Sequence, residues 1–428
     1  MLQRLSVKKC LFIILACAVL IRVVAIIVTY QQVNDDWEYG EIAYNLAEGR
    51  GFSRINDPGG KLESTSSQAP LYPIFLSIFY SFGQTSIVFL TIKLIQLILS
   101  IITIFFFYKL VKILFDEKTG LIGALILTVY PPYIYNTIKI TPIVLFITLL
   151  IISVYMLFKK EKLLTNALAG ILFGGMILCD PIGLLIIPAY VLLILINKYK
   201  REPSLNHVIF FATLVLILAP WTIRNYIVHE RIVPITTQFS INFWIGNNPM
   251  ATGTDYYRID DRESREYIFL PQTLPRHTRI ELSEMTERER ADFFFSNAIG
   301  YIYSNPTNFM ALLVRKTFYY WWFAPVEYSG STDSISYRAF YALGYLPILI
   351  LGLIGIIHTI IKGHRRMLFI SLSIILIASV YIITHVGLAR YRLPVEVLLI
   401  IPTGYVVRRL VNRTILSSSN NNRLTLDS

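Results

Sequence analysis

Charge is what this chain has least of. Asp, Glu, Lys and Arg make up 15% of its 428 residues, while 55% are hydrophobic and the mean hydropathy is +0.57. One soluble core cannot hide that apolar content beneath so thin a charged surface, so the composition describes a polytopic membrane protein. Cysteine is also scarce. Cys10, Cys17 and Cys179 fall within or beside apolar runs, which argues against a disulfide framework or a thiolate metal site. The six histidines are scattered, and HExxH, CxxC, Walker A and GxSxG patterns are all missing. Zinc proteolysis and nucleotide hydrolysis therefore lack their machinery. Within the apolar runs, Arg22, Lys93 and Asp180 are the charges that lie away from the ends, fewer than a proton or ion pump normally carries. No internal repeat is evident, which weakens a transporter built on inverted repeats.

Apolar segments suited to a hydrocarbon layer of about 30 Å occur near 10–30, 86–115, 119–135, 141–158, 166–180, 181–196, 207–222, 341–361, 367–384 and 393–411. About ten spans are expected. The short pair flanking Asp180-Pro181 reads as one kinked helix or a re-entrant hairpin. Arg4, Lys8 and Lys9 precede the first run, which continues well past Cys17 and reads as an uncleaved membrane helix. The net charge of +12 comes from short clusters between apolar segments, among them "KKEK" at 159–162, "KYKR" at 198–201 and "KGHRR" at 362–366. That pattern fits anchoring of cytoplasmic loops and not nucleic-acid binding. Both termini are then expected in the cytoplasm, in a bacterial plasma membrane, with the two long loops, 31–70 and 223–340, outside. The expected organisation is a membrane module at 1–222, an extracytoplasmic domain at 223–340, C-terminal spans at 341–411 and a disordered polar tail at 412–428.

Long ordered loops are usually functional. The first opens on "VNDDWEYGEIAYNLAEGRGF", in which the apolar and aromatic positions from Trp37 to Leu46 recur at helical spacing and "EGRGF" supplies a stop. A polar "NDPGGKLESTSSQ" loop follows, then the interfacial "APLYPIFLSIFYSFG". The second loop carries "TERE" at 286–289, a capping box, and Asn305-Pro306, an expected cap and first helical residue. "IGNNP", beside Trp244, reads as a turn or as a sugar contact. Asp35 and Asp36, just past the first span, are the acids best placed for catalysis; two aspartates there could also simply cap the next helix.

"DDWEYGEIAYNLAEGRGF", "APLYPIFL", "APWTIRNY" at 219–226, "NFWIGNNP" at 242–249 and "ARYRLPVE" at 389–396 together resemble the GT-C glycosyltransferases of the PMT type. That group includes protein O-mannosyltransferases and the aminoarabinose transferase of lipid A. The likeness runs from about residue 10 to about residue 410. It implies an all-α GT-C helical bundle with a small extracytoplasmic domain. It also implies a donor sugar on polyprenyl phosphate and an acceptor hydroxyl of a lipid, surface glycan or protein. The family's catalytic aspartate stands four residues before a tyrosine, which from Tyr39 gives Asp35; Asp36 is left to bind metal or acceptor, or to take the role itself. Arg390, Arg392, Arg224 and Lys61 become candidates for the donor phosphate, and Tyr39, Trp244 and Asn247 for substrate contact. No metal site is assigned, although a divalent ion is compatible with the acid pair. Asp180-Pro181 departs from the basic residue and proline often found at that place in relatives. Competing readings are a lipid-linked glycan transporter or scaffold, and a glycan polymerase or ligase.

Overall fold

The computed structural model describes residues 6–29, 37–55, 60–159, 162–198, 205–254, 256–260, 265–323, 335–387 and 391–424. The first helix, α1 (Val7–Val28), starts where the Ser6 hydroxyl accepts the Lys9 amide, one of the donors a helix leaves open at its first turn. The first long loop follows, with α2 (Trp37–Ala47), the antiparallel hairpin β1 (Ser53–Ile55) and β2 (Leu62–Ser64), and α3 (Leu71–Tyr80). Thr85 caps α4 (Ser86–Leu114), and Asp116, accepting the Lys118 and Thr119 amides, caps α5 (Glu117–Val129). Pro131 then starts α6 (Pro131–Ile138), bent by 55° from α5, because a proline has no amide to continue the helical ladder.

The chain continues through α7 (Ile143–Phe158), α8 (Leu163–Cys179), a short 3-10 turn at Pro181–Leu185, α9 (Ile186–Lys198) and α10 (Leu205–His229). Next comes a small helical domain of α11 (Gln238–Ile245), the hairpin β3 (Tyr256–Asp260) and β4 (Arg265–Phe269), α12 (Arg276–Glu284), α13 (Glu287–Ser304) and α14 (Pro306–Trp321). The chain ends in α15 (Ile335–Ile361), α16 (Arg365–Ile383) and α17 (Leu393–Leu424). The polar tail expected from 412 is instead helical to Leu424; no glycine or proline interrupts that stretch.

Among the described residues five helices, α1, α4, α10, α15 (over Tyr341–Ile361) and α16, are long and apolar enough to cross a membrane, or six if α5 and α6 form one bent span. About ten spans were expected. The difference lies in the shorter apolar helices α7, α8 and Pro181–Ile196, and in α17, which carries Glu396, Arg408 and Arg409. The sixteen residues of α7 rise about 24 Å. That helix is buried nearly all round, in contact with α4 and α8, as an interior helix of a bundle should be. Large apolar side chains such as Phe12, Leu20, Ile27, Val215 and Leu216 face outward on α1 and α10. The chain is an integral membrane protein whose bundle turns apolar surface toward lipid.

Close backbone approach organises the seam between α8 and α10. A Cβ on Gly170 would lie 2.3 Å from the Phe210 carbonyl oxygen, and one on Gly174 2.7 Å from Ile217 Cγ2. Small residues four apart let two membrane helices touch along their backbones. The small domain has its own core, in which Phe243, Trp244 and Ile245 of α11 meet Leu282 of α12 and Phe294 and Ala298 of α13.

Candidate active site

Asp35, Asp36 and Arg390 lie outside the described residues. What the structure describes is the scaffold around them, beginning one residue after Asp36 with Trp37 of α2. That helix buries Ile42 and Ala43, and the Tyr39 ring meets Tyr72 of α3 edge-on at 5.7 Å. Two polar side chains of α2 grip the hairpin: Glu41 Oε1 accepts the Ile55 amide at 2.5 Å, and Asn45 Nδ2 donates to the Ser53 carbonyl at 2.9 Å. Lys61, at the hairpin's tip, is exposed.

Past β2 the chain dives inward. Thr65 and Ser66 are fully buried, and Ser66 uses every polar atom it has. Its amide donates to both Glu287 carboxylate oxygens, at 3.0 and 3.2 Å, and its carbonyl accepts the Thr237 amide at 3.0 Å. Its hydroxyl lies 2.7 Å from Asn225 Oδ1, 2.9 Å from Arg224 Nη1 and 2.8 Å from His229 Nε2. Asn225 Nδ2 is committed to the Val233 and Ile235 carbonyls. Its Oδ1 therefore takes the single Ser66 hydroxyl hydrogen, which makes His229 Nε2 a donor. Arg224 also donates to the Phe52 and Thr65 carbonyls, at 3.0 and 2.7 Å, and stacks over Trp221 at 4.9 Å. Its guanidinium is a strut between α10 and the first long loop. An Arg290–Glu63 ion pair adds a second tie between that loop and α13.

The other expected contacts are placed inside the packing. Trp244 is buried against Phe294, with ring centroids 5.1 Å apart. Asn247 is fully buried and donates to the Phe243 and Ile383 carbonyls. Its Oδ1 accepts from Lys316 Nζ, which also reaches the Gly246, Ile383 and Thr384 carbonyls, all four at 2.9–3.1 Å. Both side chains are enclosed: Trp244 packs α11 against α13, and Asn247 with Lys316 ties the end of α11 and α14 to the end of α16. "IGNNP" is indeed a turn, with Asn248 Oδ1 accepting the Met250 amide at 2.8 Å. Arg392 is likewise interior. Nε donates to Glu396 Oε1 at 2.7 Å, and Nη1 to the Tyr320 and Trp322 carbonyls. The guanidinium sits 3.9 Å from the Tyr345 ring centre, and Glu396 also accepts the hydroxyls of Tyr130 and Tyr341. This buried network pins the start of α17 to α14, α15 and the α5–α6 bend. Asp180 caps the 3-10 turn through the Ile182 amide at 3.0 Å.

Several of these residues escape a reading of sequence alone. The Arg392–Glu396 pair has a signal, opposite charges four apart at a helix start. Ser66, Glu287 and Lys316 have none, since their partners lie 50–221 residues away. Among the described residues no three His, Cys, Asp or Glu side chains gather as a metal site would require.

No curated protein matches the sequence. Residues 67–223, less than half the chain, match the family of dolichyl-phosphate-mannose-protein mannosyltransferases. The oligosaccharyltransferase of Archaeoglobus fulgidus in its apo form superposes with a TM-score of 0.59 at 13% identity, over 99% of this chain and 52% of that one. The same archaeal protein, AglB, in complex with an inhibitory peptide and a dolichol-phosphate gives 0.57 at 15% identity, over 97% and 52%. It has also been solved with Zn and sulfate, at 0.56 and 12% identity, over 97% and 51%. ArnT from Cupriavidus metallidurans bound to undecaprenyl phosphate gives 0.53 at 12% identity, over 95% and 63%. The chain has the GT-C glycosyltransferase fold. It spans about half the length of the archaeal protein. The part of this GT-C fold that matches the mannosyltransferase family begins one residue after Ser66 and ends one residue before Arg224. The Arg224–Ser66 hydrogen bond thus joins the two residues that flank the matched segment.

Proposed function

We propose that this protein is an inverting glycosyltransferase, moving a sugar from a polyprenyl-phosphate carrier to the hydroxyl of a lipid, surface glycan or protein. The observation that carries this reading is the GT-C fold with its first long loop clamped to the end of α10 and to the small domain. The solved relatives' dolichol-phosphate and undecaprenyl phosphate support the class of donor. In the proposed orientation, taken from the basic loops, this end of the bundle is extracytoplasmic.

Asp35 takes the proton of the acceptor hydroxyl as its oxygen attacks the anomeric carbon. The bond from that carbon to the phosphate oxygen breaks, and polyprenyl phosphate departs with the electron pair. Phosphate is a good leaving group without protonation, so one carboxylate suffices where a glycoside hydrolase needs two. Cations offset the charge gathering on the phosphate; Lys61, which is exposed, and Arg390 fill that role directly. Arg224 and Arg392 contribute by holding the loop and the start of α17 in place. Tyr39, against Tyr72, contacts substrate beside the base.

Transfer by membranes carrying Asp35→Asn should fall by roughly three orders of magnitude or more, as loss of a general base allows, with insertion unchanged. Full activity of Asp35→Asn together with an inactive Asp36→Asn would move the base one residue along. The mass added to the acceptor distinguishes single-sugar transfer from oligosaccharide ligation.

A further inference from the structure

The stretch Ser64–Ser67 looks solvated in sequence, yet Thr65, Ser66 and Ser67 are buried. Buried hydroxyls and amides need partners, and here a single carboxylate of the small domain supplies the decisive one. Glu287 is the first residue of α13, and its side chain reaches past its own helix to Ser66 and to the Thr237 hydroxyl, at 2.5 Å. His229, already bonded to Ser66, stands 3.9 Å away. From Ser66 the chain and its hydrogen bonds lead to the start of α2. Ser64 pairs with Ser53 across the hairpin, Asn45 and Glu41 of α2 hold Ser53 and Ile55, and α2 begins at Trp37.

We infer that Glu287 is a positioning residue: it fixes Ser66 and, through the β1–β2 hairpin, the start of α2 at Trp37, the residue that follows the acid pair in sequence. The effect on transfer rests on the proposed role of Asp35; the effect on the backbone does not. Arg290–Glu63 reinforces the same contact. A carboxylate receiving a main-chain amide and a hydroxyl is a stronger tie than a neutral acceptor, because charge-assisted hydrogen bonds exceed neutral ones.

The test uses the full-length protein in nanodiscs for hydrogen exchange, and membranes of the same variants for transfer. Glu287→Ala should speed exchange across residues 37–66 about 10- to 100-fold, the loss expected for a buried charged hydrogen bond, with α4 and α7 unchanged. Transfer should fall in parallel. Glu287→Gln keeps a neutral carbonyl for the Ser66 amide and the Thr237 hydroxyl, so its effect on both readouts should be clearly smaller than that of Glu287→Ala, within about tenfold of wild type. Should Glu287→Ala not fold, Ser66→Ala, which removes the shared hydroxyl, should accelerate exchange over the same residues. Unchanged exchange over 37–66, or equal acceleration through the whole chain, overturns the inference. Faster exchange at 37–66 with transfer indifferent to both Glu287→Ala and Asp35→Asn would uphold the positioning link and sink the transferase reading.

Discussion

Lys316 shows how single buried charges hold this protein's parts together. Its ammonium is fully enclosed and faces four oxygens, two from the turn after α11 and two from the end of α16. Burial pushes its pKa down to about 7. Between that value and the ordinary 10.5 of an unfolded lysine, the unfolded chain holds a proton that the folded chain has released. Stability should therefore rise with pH from about 7 to about 10, by up to ~1.4 kcal/mol per pH unit, and level off on either side. Lys316→Met should lose this slope relative to wild type and, by stranding buried carbonyls, cost about 2–4 kcal/mol; thermal unfolding of both proteins across that pH range checks it. Some of this residue-level detail is legible beforehand. "TERE" caps α13 as its spacing implies, with Thr286 and Glu289 bonded reciprocally. Asn305 is the cap of α14 as expected, but its side chain turns back to the Tyr301 carbonyl and caps nothing. The interior positions of Arg392 and Asn247 were not legible, since a polar side chain near a span end reads as exposed until its long-range partners are known.

At the scale of elements, apolar periodicity identifies the helices but not what surrounds them. Helix α7 is short and enclosed nearly all round, whereas α8, similarly short, leaves Leu164 and Ile171 exposed, a difference that hydropathy alone cannot register. Gly170 and Gly174 stand four residues apart on one face of α8, where small residues permit close packing. Their partner, α10, carries Arg224, Asn225 and His229, so the seam sets where those side chains stand. Gly170→Ala would put a methyl group 2.1 Å from Thr213 Oγ1 and 2.3 Å from the Phe210 carbonyl. It should cost about 1–3 kcal/mol and lower the yield of monodisperse protein in detergent. Gly300→Ala, in α13 with nothing within 4 Å of the added carbon, should be neutral or stabilising by up to about 1 kcal/mol. Equal behaviour of the two would contradict a tight α8–α10 seam.

For the whole molecule, the organisation is a lipid-facing bundle closed at one end by a loop and a small domain that share a buried polar centre. The sequence carried the fold class through composition, and the family likeness through five ordered motifs. It did not carry the docking of domain on loop, because the contacts joining Glu287 to Ser66 span 221 residues with no local pattern. The central claim is transfer from a polyprenyl-phosphate sugar with Asp35 as base. Mass spectrometry of the lipids and surface glycans of cells with wild-type protein, with the gene deleted and with Asp35→Asn measures it most directly. Both defective strains should accumulate the same polyprenyl-phosphate sugar on the outer leaflet and lack that sugar on the acceptor. Wild-type glycans in the Asp35→Asn and Asp36→Asn strains, with the carrier stranded on the inner leaflet only upon deletion, would contradict the account and identify a transporter.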